Sequence, residues 1–225
     1  MKELLSNGIF PLDAGDPRFW LGVALCIVVP YLLGSINFAV LLSKYSGKED
    51  IRNFGSGNAG ATNMMRVYGK KLSLLTFFLD ALKGALSVFL GLMLFPLDLF
   101  AYVCAFFCML GHAFPLFFGF HGGKGVSTIT GAIIMLNPIV AAILFVVFFF
   151  IGYMSKYVSL ASMLTTMLFP VLNRLIPFYS APPFFPTKMI FSVLMPLLVV
   201  FLHRNNIERL INGTESKTFI KKKDK

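Results

Sequence analysis

Six long apolar runs, at 19–43, 72–95, 99–118, 126–153, 158–176 and 187–202, leave this chain few ways to fold. A helix crossing a bilayer needs roughly 20 consecutive apolar residues. About five to eight such spans with their connections fill a chain of 225 residues and leave no room for a separate soluble domain. Hydrophobic residues make up 57% of the chain and charged residues 13%, against about 45–50% and about 25% in average soluble domains. The composition therefore argues against a soluble globular domain, and against disorder anywhere but the tail. The chain reads as an all-α integral membrane protein of one domain.

Charge then sets the topology. Of 20 Lys and Arg, six fall in the first polar loop (Lys44, Lys48, Arg52, Arg66, Lys70, Lys71) and seven in the tail from Arg204 to Lys225. Nucleic-acid binding would explain such clusters. In so apolar a chain, retention of basic loops on the cytoplasmic side is the simpler cause. If the first loop is cytoplasmic, six spans would carry the basic tail outside, against that rule, and an odd number is required. The run at 126–153 is the one to divide. It exceeds one span, and Asn137-Pro138 interrupts it with a residue that lacks an N–H and restricts its predecessor. Division gives a short helix near 126–137, too short to cross alone, and a second near 139–154. The expectation is about seven transmembrane helices, with the N-terminus outside and the C-terminus cytoplasmic. Residues 1–18 are then an external segment, 19–203 the membrane domain and 204–225 a basic cytoplasmic tail. Fifteen basic residues fall inside and four (Lys2, Arg18, Arg174, Lys188) outside, with Lys83 in the second span. No internal repeat is evident.

Cys26, Cys104 and Cys108 all lie in apolar runs, and no His or acid accompanies them at ligand spacing. They read as buried thiols, and no metal site is expected.

Three polar clusters carry the candidate chemistry, all on the predicted cytoplasmic side. The first runs from Asp50 to Arg66 and holds Gly55, Ser56, Gly57, Gly60, Thr62 and Asn63. Its glycines can turn the backbone toward an anion. A helix starting near Ala59 would put Thr62 and Arg66 on one face close to its positive end, an arrangement suited to phosphate. The second holds Gly111-His112 and then His121-Gly122-Gly123-Lys124-Gly125. It is no nucleotide P-loop, because Gly125 stands where Ser or Thr must follow the lysine. The third holds His203, Arg204, Asn206 and Glu215, with His203 and Asn206 expected on one helix face. Taken singly, each has a plainer reading: a flexible loop, a tight turn with a snorkelling lysine, a basic interfacial helix capped at Gly213. Asp80 and Lys83, one turn apart in the second span, pair or line a cavity, since each alone costs roughly 2.5–3.5 kcal/mol at a helix centre.

Together these stretches resemble the PlsY-type acyl-phosphate:glycerol-3-phosphate acyltransferases of bacteria. The resemblance is carried by Leu33-Gly34-Ser35-Ile36, Gly55 to Asn63, Leu79-Asp80 with Lys83-Gly84, Gly122 to Val126, Tyr157 to Ser162, and His203-Arg204 with Asn206-Ile207, in order from about residue 31 to 217. Asn37 stands where proline is frequent in that family, and His121 where lysine is. The resemblance implies a seven-helix enzyme of the bacterial plasma membrane with its site facing the cytoplasm. It implies acyl transfer from acyl phosphate to the sn-1 hydroxyl of glycerol 3-phosphate, giving lysophosphatidic acid and phosphate. It brings no cofactor and no nucleic acid, but membrane lipid and a coupling to the enzyme that makes acyl phosphate. By the family pattern, His203, Asn206, Ser56 and Arg66 would be catalytic. Thr62, Asn63, Gly122, Gly123, Lys124 and Ser162 would bind substrate, and Glu215 would be structural.

The residues support such a reaction. Acyl phosphate is a mixed anhydride and already activated, so a covalent acyl-enzyme is unnecessary, and no nucleophile–base–acid constellation calls for one. Arg66 and Lys124 would neutralise phosphate. Asn206 or backbone donors would stabilise the oxyanion. His203 or a substrate phosphate oxygen would take the hydroxyl proton. Two other classes fit parts of the pattern. A transporter for an anionic solute would use the same residues, but its sites usually lie at the midplane between repeats. A lipid-binding scaffold would need charge only, not residue identity.

Overall fold

A computed structural model describes residues 8–178 and 185–217. The start of the external segment (1–7), residues 179–184 and the end of the basic tail (218–225) lie outside the described residues. The described chain is entirely helical: α1 Pro17–Ser35, α2 Phe38–Tyr45, α3 Ala61–Tyr68, α4 Lys70–Leu94, α5 Asp98–Ala113, α6 Val126–Leu136, α7 Pro138–Ser155, α8 Val158–Leu175, α9 Phe185–Leu202 and α10 Arg204–Ile211, with short 3-10 turns at Ile51–Asn53 and Leu116–Phe118.

Among the described residues five helical segments are long and apolar enough to cross a bilayer, α1 and α2 counting as one. A sixth is added if α9 and α10, bent by 57° at His203, form one span. The chain is thus an all-helical integral membrane protein with five or six candidate spans. The expected division at Asn137-Pro138 is present. There α6, with 11 residues, rises about 16 Å, half the hydrocarbon thickness. The first apolar run is broken as well. Ile36 ends α1 and Asn37 starts α2, its side chain accepting from Val40 N at 3.3 Å. Asn137 caps α7 in the same way, accepting from Val140 N at 3.1 Å.

Glycines set how closely the helices approach. A Cβ on Gly34 of α1 would collide with the Cys108 carbonyl of α5, and one on Gly111 of α5 with the Tyr31 carbonyl of α1. The pair α4–α6 repeats the device: Gly84 lies against Thr128 O and Gly131 against Ala81 O. Where lipid tails are as apolar as leucine, this backbone proximity is what drives helices together. The apolar residues left exposed, such as Phe145, Val146, Phe149 and Phe150 on α7, form a surface suited to lipid rather than water. The three cysteines are buried and unpaired.

At one end of the bundle Asn137 Nδ2 donates to Ile176 O at 2.6 Å, Asn173 Nδ2 to Tyr102 OH at 2.7 Å, and Lys188 Nζ to Asp98 Oδ2 at 2.7 Å. The first polar loop and the α5–α6 connection lie at the other end. The loop is held by its own small core of Ala39, Val40, Ile51, Ala59 and Met64. Gly84→Ala is expected to pry α4 from α6 and lower stability by about 1–3 kcal/mol, read as a lower melting temperature in detergent. An unchanged melting temperature would refute the close-packing account.

Candidate active site

The first loop is organised by Asn63. Its Nδ2 donates to Ile51 O at 3.2 Å and Phe54 O at 2.9 Å, and its Oδ1 accepts from Ser56 N at 3.0 Å. The amide thus holds Ser56 in place rather than reaching outward. Gly55, at φ +61, is where the chain must turn, and a Cβ there would strike Asn63 Oδ1. Gly60 precedes α3, which carries Thr62 and Arg66 four residues apart. Ser73 Oγ donates to Ala61 O at 2.8 Å and ties this short helix to α4.

Arg52 links the first loop to the second. It pairs with Asp50 at 2.8 Å and donates to Phe118 O at 2.8 Å and His121 O at 3.3 Å. Beyond, Gly122 N donates to Ala113 O at 3.2 Å and Gly123 N to His112 O at 3.1 Å. The expected phosphate-cradling glycines therefore lie flat on the end of α5 with their N–H groups engaged. No side chain fits there: a Cβ on Gly122 would meet His112 O, and one on Gly123 the His112 ring. What the loop offers instead is Lys124 and the first turn of α6, which has no side-chain cap. Helix N-termini leave such N–H groups free for an anion.

The third cluster departs from expectation in one respect. His203 stands just before the helix that carries Asn206 rather than within it. It sits at the 57° bend as N-cap of α10, its Nδ1 bonded to Val199 O at 2.8 Å. A carbonyl only accepts, so Nδ1 carries the proton and Nε2 a lone pair. Asn206 is held at both ends. Its Oδ1 accepts from Lys124 Nζ, and its Nδ2 donates to Glu215 Oε1 at 2.6 Å. Glu215 also accepts from Ser159 Oγ at 2.8 Å and Arg209 Nε at 2.7 Å. The left-handed Gly213 (φ +69) turns the chain after α10 so that Glu215 tucks in, 6% exposed.

These elements enclose a cavity of about 140 Å³. Ser56, Thr62, Asn63, Arg66, Lys124, Ser162, His203 and Asn206 all line it, whereas Gly122 and Gly123 do not. Asp80, His112, Ser159 and Glu215 line it too. His112 was visible in the sequence as a motif residue but had no role there, and Ser159 stood in a stretch that carried the resemblance without being assigned a role. Phe77, Phe148, Val126 and Val158 form its apolar part. Burial, then the Arg209 charge, push the Lys124 ammonium down to about 8. Burial, then the Lys124 charge, push His203 down to about 4, so its ring is neutral at pH 7. Burial raises Glu215, but its hydrogen bonds from Arg209, Asn206 and Ser159 outweigh this and hold it below its ordinary value.

The cavity thus sets cationic and hydrogen-bonding side chains beside an apolar wall, within a bundle whose helices are long and apolar enough to cross a membrane. Residues 24–213 match the Glycerol-3-phosphate acyltransferase family. A curated glycerol-3-phosphate acyltransferase of Thermoanaerobacter pseudethanolicus is 40% identical over 193 residues, covering 86% of this chain and 94% of that protein. One from Aquifex aeolicus is 39% identical, covering 84% and 95%. Crystal structures of PlsY (YgiH), an integral membrane glycerol 3-phosphate acyltransferase, superpose with TM-scores of 0.80 for the glycerol 3-phosphate form and 0.78 for the lysophosphatidic acid form. They are 36% and 35% identical and cover 87% of this chain and 95% and 94% of theirs. The chain belongs to this family of PlsY-type membrane glycerol-3-phosphate acyltransferases.

A charge-based test follows. Sulfate remains a dianion across the range, so only the protein titrates. Lys124 is charged below its value of about 8 and loses its proton above it. Thermal stabilisation by sulfate should therefore fall as pH rises from about 7 to 9, and this fall should be absent in Lys124→Arg, whose guanidinium stays charged. A flat wild-type profile would contradict the assignment of Lys124.

Proposed function

We propose that this protein transfers a fatty acyl group from acyl phosphate to the sn-1 hydroxyl of glycerol 3-phosphate, giving 1-acylglycerol 3-phosphate (lysophosphatidic acid) and inorganic phosphate, the first step of phospholipid biosynthesis. The observation that carries this is one cavity in which Arg66, Lys124 and the start of α6 stand beside Ser162, His203 and Asn206, with an apolar flank at Phe77 and Phe148. Two phosphates need two cationic groups and helix-end donors, and the acyl chain needs an apolar wall.

In this reading the glycerol hydroxyl oxygen attacks the acyl carbonyl carbon directly. The bond from that carbon to the phosphate oxygen breaks, and phosphate leaves. Arg66 and Lys124 neutralise phosphate charge, Thr62 and the N–H groups opening α6 orient it, and Ser56 and Ser162 supply hydroxyls. Asn206 keeps one Nδ2 hydrogen beyond its bond to Glu215 and can offer it to the oxyanion. His203 Nε2 takes the hydroxyl proton. Its low basicity rises when two phosphates enter, because a nearby anion favours the protonated form. A substrate phosphate oxygen is the alternative base.

The same reading gives seven crossings. They comprise α1 with α2, then α4 and α5, the short α6 shielded by its neighbours, and α7, α8 and α9. Residues 1–18 lie outside, 19–203 form the catalytic membrane domain, and 204–225 are a basic cytoplasmic tail whose first residues complete the site. The cavity then faces the cytoplasm of a bacterial plasma membrane, where an acyl-phosphate-forming enzyme can supply the short-lived anhydride. The excess of basic residues at the cavity end supports that orientation.

Purified protein given palmitoyl phosphate and labelled glycerol 3-phosphate should form labelled lysophosphatidic acid, and palmitoyl-CoA should not replace the donor. Arg66→Ala should lower kcat/KM by about 10- to 100-fold, and His203→Gln by about 10²–10⁴-fold if the imidazole is the base. Near-full turnover in His203→Gln would move that role to the substrate phosphate. No product from either donor in folded protein would refute the acyltransferase reading.

A further inference from the structure

His112 lines the cavity but takes no part in the chemistry above. Its residue is 3% exposed. Nδ1 lies 2.9 Å from Lys83 Nζ and 3.5 Å from Asp80 Oδ1. Lys83 Nζ lies 2.8 Å from Asp80 Oδ1 and donates to Gly34 O at 3.0 Å and Ile36 O at 2.8 Å. An ammonium has donors and no acceptor. An approach of 2.9 Å therefore needs a lone pair on Nδ1, which puts the ring proton on Nε2. The 3.5 Å separation from Asp80 agrees, being too long for Nδ1 to donate there.

Nε2 lies on the far edge of the ring, beside Gly123, where an added Cβ would strike it. Among the described residues no acceptor is paired with this nitrogen. Lys83 gives its three ammonium hydrogens to Gly34 O, Ile36 O and His112 Nδ1, and Asp80 pairs with it by charge.

We propose that His112 donates a hydrogen bond from Nε2 to a phosphate group of the bound substrates beside the Gly122–Lys124 loop, and that Lys83 and Asp80 are positioning residues that keep the proton on that nitrogen. The inference rests on the acyl-transfer reading for which phosphate enters the cavity. It adds a neutral donor at the membrane end of a site whose cations, Arg66 and Lys124, come from other elements.

Two variants separate donation from support. His112→Gln places an amide N–H near the position of Nε2, and His112→Asn places its amide near Nδ1. Initial rates are measured with acyl phosphate and glycerol 3-phosphate varied separately, beside the wild type. His112→Gln should stay within about fivefold, while His112→Asn loses roughly 10- to 100-fold in kcat/KM. A loss confined to acyl phosphate puts the donor on that phosphate, and one confined to glycerol 3-phosphate puts it on the other. Asn matching Gln, or equal losses accompanied by equal falls in melting temperature, would overturn the proposal. Thermal stabilisation by inorganic phosphate in the same variants reads the contact without turnover. If the wild type forms no product yet phosphate stabilisation survives in Gln and not in Asn, the donor stands and only the acyl-transfer reading falls. Nitrogen NMR of labelled histidine should also show His112 protonated at Nε2, and a proton on Nδ1 would overturn the proposal.

Discussion

A lysine buried at the junction of three helices holds the polar end of this bundle together. Lys83, 1% exposed, takes Asp80 from its own helix, two carbonyls where α1 ends, and the imidazole of α5. Unpaired, such a charge would not be tolerated at this depth. Paired, it fixes the break between α1 and α2 against the end of α5. Around it Tyr31 OH donates to Phe114 O at 3.0 Å, and Leu116 N donates to Ser35 Oγ at 3.2 Å. The loop that leads to Lys124 thus starts from a fixed point. The reciprocal glycine contacts of α1 with α5 and of α4 with α6 make that junction close enough to form.

From that point the site is built by long-range bonds rather than by any one motif. Lys124 reaches Asn206, Asn206 reaches Glu215, and Glu215 gathers Ser159 and Arg209. This chain of contacts locks α10 over α8 and the second loop. It also fixes the electrostatics. Arg66 and Lys124 line one small cavity with Arg209 close enough to act on Lys124, while Asp80 is taken up by Lys83 and Glu215 is the carboxylate that faces these cations. Burial and mutual repulsion lower the Lys124 ammonium, and the charge of a nearby phosphate dianion would oppose that lowering.

The helices and their breaks were largely readable from sequence, because bilayer thickness imposes length and proline imposes an interruption. Asn137-Pro138 divided one run as expected, and α6 is as short as that division requires. The α1–α2 break was not read. It falls at Asn37, whose side chain supplies a helix cap that hydropathy does not register. Most of the candidate residues come together around one cavity, although Gly122 and Gly123 do not line it. Their partners were less legible. His203 and Asn206 looked like neighbours within one helix, but His203 stands at the bend that precedes it, and Asn206 is claimed by Lys124, 82 positions away. Gly122 and Gly123 looked like anion donors, whereas their N–H groups bind α5 and their value is lack of bulk. Local patterns predict backbone shape well. They do not reveal which of several polar atoms a distant helix will claim.

The proposed reaction needs both phosphates in one cavity and direct transfer of the acyl group from acyl phosphate to the glycerol hydroxyl. Initial rates over a grid of acyl phosphate and glycerol 3-phosphate concentrations test it. Direct transfer in a ternary complex predicts double-reciprocal lines that intersect. Parallel lines, together with acyl chains trapped covalently on the protein in the absence of glycerol 3-phosphate, would mean a ping-pong route through an acyl-enzyme and would contradict the account.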